Sequence, residues 1–568
     1  MLDSPALRRM TKLRLVMVSL FIAAATLMTF VNAVNADFVN WDDDVYVTEN
    51  PFIQNFSRDT LALIFSKTYY YAWTPLTLLS HAADIALWGM NPRGHHLTNV
   101  VLHVLNAVAL FWVGLLFFVM VYDAHPSGRS FLDRMSGAVI VGAASAALLF
   151  AVHPLRVEPV AWVSGRKDVL CLFFLLPAFG SYLLWRFKDA EGALFATHIF
   201  FVLALLSKPT ALVFPLVLVL VDAWWLSDRK EKQNMLNLVV EGKLLLFLMS
   251  IAVGVITFVA AGRGSVNVVA ELNLLERFFL PSYALMFYVW KTVAPIALSP
   301  IYPEVPRAFL YFSAVGFVVV TYGCLTAIGK RWTGPALAFF TFVLAVLPVF
   351  LGLASGVQPL ADRYTYISTV SLFLFVGGCV LWLWRTSAAS PAKWYRRGAM
   401  VSVLLVVWGL GAYRTIRHTA MWNNSIALWS HAVRYAPQSA EEYAERGSYI
   451  KPTYADAFIN LGTAYYDAGD RGKAVEQFRR ILHLDPCNAD AHYNLGTLVY
   501  EQGDPEASKQ WFDQAIRCDS TYAKAFYNLG ILYAKRDSTL QALDMFQRAA
   551  RLGMVEARRI LSARGYGW

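Results

Sequence analysis

The chain has 568 residues, of which 57% are hydrophobic and only 15% charged. A water-soluble protein of this length carries roughly a quarter charged residues, so the composition excludes an ordinary globular enzyme. The net charge of +10 is not a nucleic-acid signature either, because the basic residues collect in short loops between apolar segments, as they do on the inner side of membrane proteins.

The first apolar segment, residues 13–33, is long enough to cross a bilayer. Arg8, Arg9, Lys12 and Arg14 lie at its start and predict a cytoplasmic N-terminus. It lacks a clear small-x-small cleavage site and more spans follow, so it reads as an anchor. Asp42, Asp43 and Asp44 come soon after it and are expected at the outer membrane surface. Further apolar segments fall at 97–121, 136–153, 169–187, 193–207, 209–226, 243–262, 279–299, 308–328, 335–354, 367–384 and 398–413. Basic loops such as Arg129/Arg134, Arg229/Lys230/Lys232 and Lys330/Arg331 mark the inner side. The alternation is consistent if eleven segments span and 279–299 does not. That segment holds Pro281, Lys291 and Pro295 and reads as interfacial or re-entrant.

The composition changes after residue 414. Residues 455–488, 489–522 and 523–556 form three units of period 34, the spacing of tetratricopeptide repeats. The pairs Leu461-Gly462, Leu495-Gly496 and Leu529-Gly530 put a small residue where two helices cross, and Phe478, Phe512 and Phe546 recur to fill the space between them. Ser425, Trp429, Ala432 and Pro437 match the second helix of a fourth, incomplete unit. The expected fold is all-α: a polytopic helical membrane domain over 1–413, a connector with a partial repeat over 414–454, and an α-solenoid over 455–568. Such arrays bind peptides on a concave surface or serve as stalks. Among the cysteines, Cys171, Cys324 and Cys379 lie in apolar segments as packing residues. Cys487 and Cys518 can pair only if the fold brings them within reach.

Candidate chemistry lies at the outer ends of the spans. The first outer loop, 34–96, holds the three aspartates, a Trp73-Thr74-Pro75 turn and His95-His96. The second contributes His153, Arg156, Glu158, Arg166, Lys167 and Asp168. Short outer turns carry Lys208-Pro209 and Asp362-Arg363-Tyr364. Ionisable groups at such positions are costly and mark function. Acids facing cations suit a lipid-borne phosphate. Lys208, Arg363, Arg156 and Arg166 would hold the phosphate, and a carboxylate, Asp42 or Asp43, would accept the proton of an incoming hydroxyl. This scheme requires no metal. The structural alternatives are a turn or cap role for Asp44, a pairing of Glu158 with Arg156 or Arg166, and a snorkelling Lys208. His95, His96 and His103 lack a third ligand at metal spacing and read as hydrogen-bonding residues. Trp41, Tyr69, Tyr70, Tyr71 and Trp73 fit an interfacial belt as well as a sugar-stacking site.

The ordered motifs are specific in combination. FVNWDDDVYVTENP is followed by WTPLTLLSHAADIALWGMNPRGHHLTNVVLHVLN, FAVHPLRVEPVAWVSGRKDVL, LLSKPTALVFPLVLVLVD, LSPIYP and ADRYTYIST, then by the repeats. This order resembles the bacterial relatives of the transmembrane and tetratricopeptide-repeat (TMTC) protein O-mannosyltransferases, of the GT-C class of membrane glycosyltransferases, over nearly the whole chain. The resemblance implies a polyprenyl-phosphate-linked sugar donor, usually mannose, and transfer to Ser or Thr hydroxyls of exported proteins. It implies an acid of the first outer loop at the reaction centre, here Asp42 or Asp43. It places Lys208, in a Ser-Lys motif, and Arg363, in an Arg-Tyr-x-Tyr motif, near the lipid phosphate. Glu158, His153, His95 and His96 are expected to support the site. No cofactor is expected beyond the lipid-linked substrate, and no nucleic acid. The expected partners are that lipid, the membrane and an acceptor protein or peptide. The expected location is the bacterial inner membrane with the repeats in the periplasm. The rival reading is a non-catalytic membrane anchor whose repeats scaffold an envelope complex. A transporter is a third, with no inverted hydropathy repeat to support it.

Overall fold

The computed structural model of the chain describes residues 5–55, 57–69, 72–122, 135–188, 190–229, 234–261, 274–302, 307–330, 332–350, 360–388, 390–435 and 451–568. Tyr70, Tyr71, Arg129, Arg134, Lys230, Lys232, Arg331 and Pro437 lie outside the described residues. Among those described, the protein is helical, with one isolated β-bridge between Tyr69 and Ala72. It divides into two units, Met1–Asn424 and Ser425–Trp568.

The first unit is multi-pass. Among the described residues, eight helices are long and apolar enough to cross a membrane: Arg9–Asn35, Pro92–Met120, Val163–Arg186, Pro209–Ser227, Phe309–Gly329, Thr333–Phe350, Val370–Ser387 and Lys393–Trp422. A pair bent by 58°, Gly137–Ala151 with Pro154–Ala161, and two shorter apolar helices, Glu191–Ser207 and Leu244–Ala260, fall on three more of the expected segments. Helix Leu274–Val293, with Pro281 inside it, covers the segment set aside above and is not among the candidate spans. Without a hydrophobic drive inside a bilayer, helices associate by close contact at small residues. Gly142 and Gly377 meet in this way. A Cβ on Gly142 would lie 2.7 Å from the Gly377 carbonyl oxygen, and one on Gly377 would lie 2.5 Å from that of Gly142.

The last helix of this unit runs Lys393–Thr419, past the expected boundary at 413. The reason is local: Thr415 donates to the Val152 carbonyl at 2.7 Å, and Trp422 is fully buried. Trp422 packs with Trp41 and Trp162, with ring centroids 5.7–6.0 Å apart. The Asp37 amide donates to the Asn423 carbonyl at 2.9 Å. The unit therefore ends beside the first and second outer loops.

The second unit stacks helix pairs. Arg471–Leu484, Ala489–Glu501 and Pro505–Cys518 start on Asp470, Asn488 and Asp504, whose side chains accept from backbone amides. Gly462, Gly496 and Gly530 sit against Phe478, Phe512 and Phe546, where a Cβ would approach the ring to 2.4–2.8 Å. The period-34 pattern is thus a helix-crossing pattern. Cys487 and Cys518 are joined in a disulfide, with Cα atoms 5.1 Å apart.

Candidate functional site

The three aspartates have three different surroundings. Asp43 is fully buried. One carboxylate oxygen accepts from the Val39 amide at 3.0 Å, and the other from the Ser164 amide at 2.9 Å and hydroxyl at 2.6 Å. It ties the first outer loop to the second. Burial outweighs these donors and pushes its pKa up to about 7. Asp44 accepts from the Val45 amide at 2.9 Å, within its own turn, so it is the turn residue expected. Asp42 has φ = 61°, the left-handed region that asparagine and aspartate tolerate best. This turns it away from its neighbours' surroundings. Its half-buried side chain makes no hydrogen bond to the described residues. Burial raises its pKa against the fields of Lys167 and Arg363.

Of the four cations expected at a phosphate, the structure brings two together. Lys208 follows the end of helix Glu191–Ser207 and pairs with Asp168 at 2.5 Å. Arg363 lies in the turn Asp362–Tyr364; its guanidinium and amide both hold Glu158, at 2.5 and 3.1 Å. The other two are engaged elsewhere. Arg156 donates to the Thr365 carbonyl at 3.1 Å and the Thr369 hydroxyl at 2.6 Å, inside a cage of Phe150, Tyr366 and Phe373. Arg166 donates to Asp84 at 2.6 Å, to the His95 carbonyl at 2.9 Å, and to Asn99. Glu158 therefore pairs with Arg363 and with neither expected arginine.

The histidines support backbone. His153 accepts from the Leu155 amide and donates to the Thr292 carbonyl at 2.9 Å. His95 donates to Gly89 and His96 to Asp37. His103 bonds the Ala151 carbonyl and the Tyr366 hydroxyl. His81, Asp84 and His95 bring potential ligand atoms within 4.8 Å of one another, and both ring nitrogens of His81 lack partners. A cation there would compete with Arg166 for Asp84.

Lys208, Arg363, Asp168 and Tyr364 form the polar end of a cavity of about 640 Å³. The remainder is apolar, lined by side chains such as Leu172, Val217, Ala345 and Leu374, and it reaches Trp224 and Trp382. Lys208 to Trp224 spans about 24 Å at 1.5 Å per helical residue, most of a bilayer core. Phe375, Cys379 and Trp382 line it and are exposed on the side of the unit, so the cavity is a lateral groove. Cys379 is thus a lining residue, while Cys171 and Cys324 pack in the interior.

Two residues of the second outer loop were named from the sequence without a role. Asp168 holds Lys208, and its second oxygen has no partner. Lys167 lies over the rings of Tyr46 and Trp162, at 5.0 and 5.5 Å. Their signal was the run Arg166-Lys167-Asp168: a buried cation across the site requires an acid.

A multi-pass helical membrane unit followed by tetratricopeptide repeats is the class that fold and site define. Residues 459–523 match the tetratricopeptide repeat family. The chain is similar to human protein O-mannosyl-transferase TMTC1, at 24% identity over 79% of this chain and 57% of the relative. It is also similar to the Caenorhabditis elegans protein O-mannosyl-transferase F38B6.6, at 22% identity over 76% of this chain and 59% of the relative. The chain thus spans less than two thirds of either relative's length. Among solved structures, the Archaeoglobus fulgidus oligosaccharyltransferase tethered with an acceptor peptide aligns over 76% of this chain and 58% of its own, at 14% identity and TM-score 0.40.

Proposed function

We propose that the protein is a membrane glycosyltransferase. It transfers a sugar, mannose or another hexose, from a polyprenyl-phosphate donor to Ser or Thr hydroxyls of exported proteins. The observation that carries this reading is the groove: one long apolar wall ending on Lys208 and Arg363 suits a prenyl tail with a phosphate at its head.

Asp42, and not Asp43, is the base. Asp43 is engaged by three donors, whereas Asp42 is partly exposed, makes no hydrogen bond from its side chain to the described residues and has its pKa raised by burial, which suits a proton acceptor. The acceptor hydroxyl gives its proton to Asp42 and its oxygen attacks the anomeric carbon. The bond from that carbon to the phosphate oxygen breaks, and its electron pair leaves with the phosphate. Asp42 stands outside the groove lining, while Lys208 and Arg363 are part of it. That separation supports base and leaving group on different faces of the sugar, hence inversion. Glu158 and Asp168 hold the two cations in place before the lipid arrives, and the mechanism uses no metal.

The repeats are read as a protein-binding module for the acceptor, in keeping with the protein O-mannosyl-transferase relatives. The Cys487–Cys518 disulfide supports an oxidising compartment such as the periplasm for that unit. The basic residues before the first span support an inner N-terminus in a bacterial inner membrane.

The test is reconstitution of the full chain in vesicles with polyprenyl-phosphate mannose or glucose and a Ser/Thr-rich peptide. Mass spectrometry is expected to find a hexose on the peptide and one polyprenyl phosphate released per transfer. If no hexose donor turns over and undecaprenyl phosphate does not bind, the reading is wrong.

A further inference from the structure

Among the described residues, four lysines of the membrane unit are buried: Lys167, Lys208, Lys243 and Lys291. Three have oxygen partners. Lys208 pairs with Asp168 at 2.5 Å and Lys243 with Asp222 at 2.8 Å, and Lys291 donates to the carbonyls of Ile296 and Ala297 at 2.6 and 3.1 Å. Lys167, 6% exposed, makes no hydrogen bond and no ion pair within 4 Å with the described residues; its ammonium lies over the faces of Tyr46 and Trp162. The side chain is largely buried and its ammonium is left to solvent and two aromatic faces, which offset only part of the cost of removing a cation from bulk water. Such a cation is available to an anion that arrives from outside.

Its surroundings identify the anion. Lys167 shares the Trp162 ring with Arg363, each 5.5 Å from its centroid, which sets it beside the groove's polar end and in the fields of Asp42, Asp168 and Lys208. Lys208 and Arg363 already have carboxylate partners, so three charges of each sign balance across Asp42, Asp168, Glu158, Lys167, Lys208 and Arg363. The proposed transfer moves charge between two points of this set. Asp42 is ionised before the step and neutral after it. The donor phosphodiester carries one negative charge and the departing monoester approaches about two. The net charge is unchanged, but its location moves from Asp42 to the phosphate.

We propose that Lys167 is the mobile counter-charge of the reaction: it faces the Asp42 carboxylate in the resting enzyme and takes the phosphate oxygen that leaves the sugar. The ligand chemistry is a prenyl-linked phosphate monoester. Lys167 is then a catalytic residue that binds the product phosphate more strongly than the substrate diester. This assignment rests on the glycosyltransferase reading but is separable from it.

The experiment measures binding of undecaprenyl monophosphate, undecaprenol and inorganic phosphate to the full chain in nanodiscs, for wild type, Lys167→Met and Lys167→Arg. Wild type is expected to prefer the lipid phosphate over the alcohol. Lys167→Met is expected to lose that preference by about tenfold or more while keeping the alcohol's affinity. Lys167→Arg is expected to restore most of it, which a merely structural role would not produce. An unchanged phosphate preference in Lys167→Met, with wild type still discriminating, overturns the Lys167 assignment and leaves the groove reading standing. Inorganic phosphate binding as tightly as the lipid overturns the lipid source. Wild type binding neither lipid overturns the groove reading itself. If Lys167→Met does not fold, the Arg variant and Lys167→Gln carry the same comparison.

Discussion

Two buried polar clusters in the membrane unit face each other as opposites. Around Arg166 the two formal charges answer one another: Asp84, the His95 carbonyl and Asn99 take the guanidinium protons, Thr98 donates to the second Asp84 oxygen at 2.8 Å, and only the ring nitrogens of His81 and Nδ1 of His95 beside them lack partners. Around the groove's polar end the accounts stay open. Among the described residues, the Asp42 carboxylate has no donor, Lys167 has no acceptor, and the second oxygen of Asp168 has no partner. Buried charges in a stable protein are paired, so charges that answer one another hold the fold, and a charge left unanswered is available to a ligand. The contrast separates structural from functional charges that look equivalent by composition.

That contrast can be broken by substitution. The largest effect is expected for Arg166→Leu, which strands Asp84 in the interior. It should cost about 3–5 kcal/mol of stability, read by thermal unfolding in nanodiscs, and reduce transfer only through the folded fraction. Lys167→Met should leave unfolding nearly unchanged. Equal losses in the two variants would erase the distinction.

Asp43 comes next. Its folded pKa of about 7 exceeds the ordinary 3.8, so the native state holds its proton where the unfolded chain has lost it. A raised carboxyl contributes stability that is full below the unfolded value and is lost as pH climbs through the folded one. Wild type should therefore lose stability between about pH 4 and pH 7, and Asp43→Asn should flatten that part of the profile. A profile unchanged by the substitution would contradict the burial argument.

The smallest effect sharpens the groove. Ala345→Trp places a large ring on its apolar wall. The half-saturating concentration of a polyprenyl donor should rise about tenfold, with little change for a short-chain phosphosugar, as expected for about 1.4 kcal/mol of overpacking. Identical shifts for both donors would argue against a tail-binding groove.

Much of this was legible in the amino-acid sequence, for identifiable reasons. The repeats announce themselves because each unit must reproduce one helix crossing, hence Gly462, Gly496 and Gly530 opposite their phenylalanines. The spans follow from apolar length. Lys208 and Arg363 stand out as charges at span ends. Pairing was not legible: Lys208 meets Asp168 across 40 residues, and Arg363 meets Glu158 across 205. At the membrane surface Arg156, Arg166 and Lys167 look alike in sequence. Only their partners distinguish a cation engaged with Thr365 and Thr369, one held by Asp84, and one left over. The choice between Asp42 and Asp43 likewise depended on Ser164, more than a hundred residues away, whose amide and hydroxyl engage Asp43.

The most direct test of the account is transfer by Asp42→Asn, measured as hexose incorporation into a peptide alongside binding of undecaprenyl phosphate. The account predicts a loss of roughly 10²–10⁴-fold in transfer with lipid binding and folding retained, and in wild type a rate that falls as pH drops and Asp42 takes up its proton. Wild-type transfer by Asp42→Asn would contradict it.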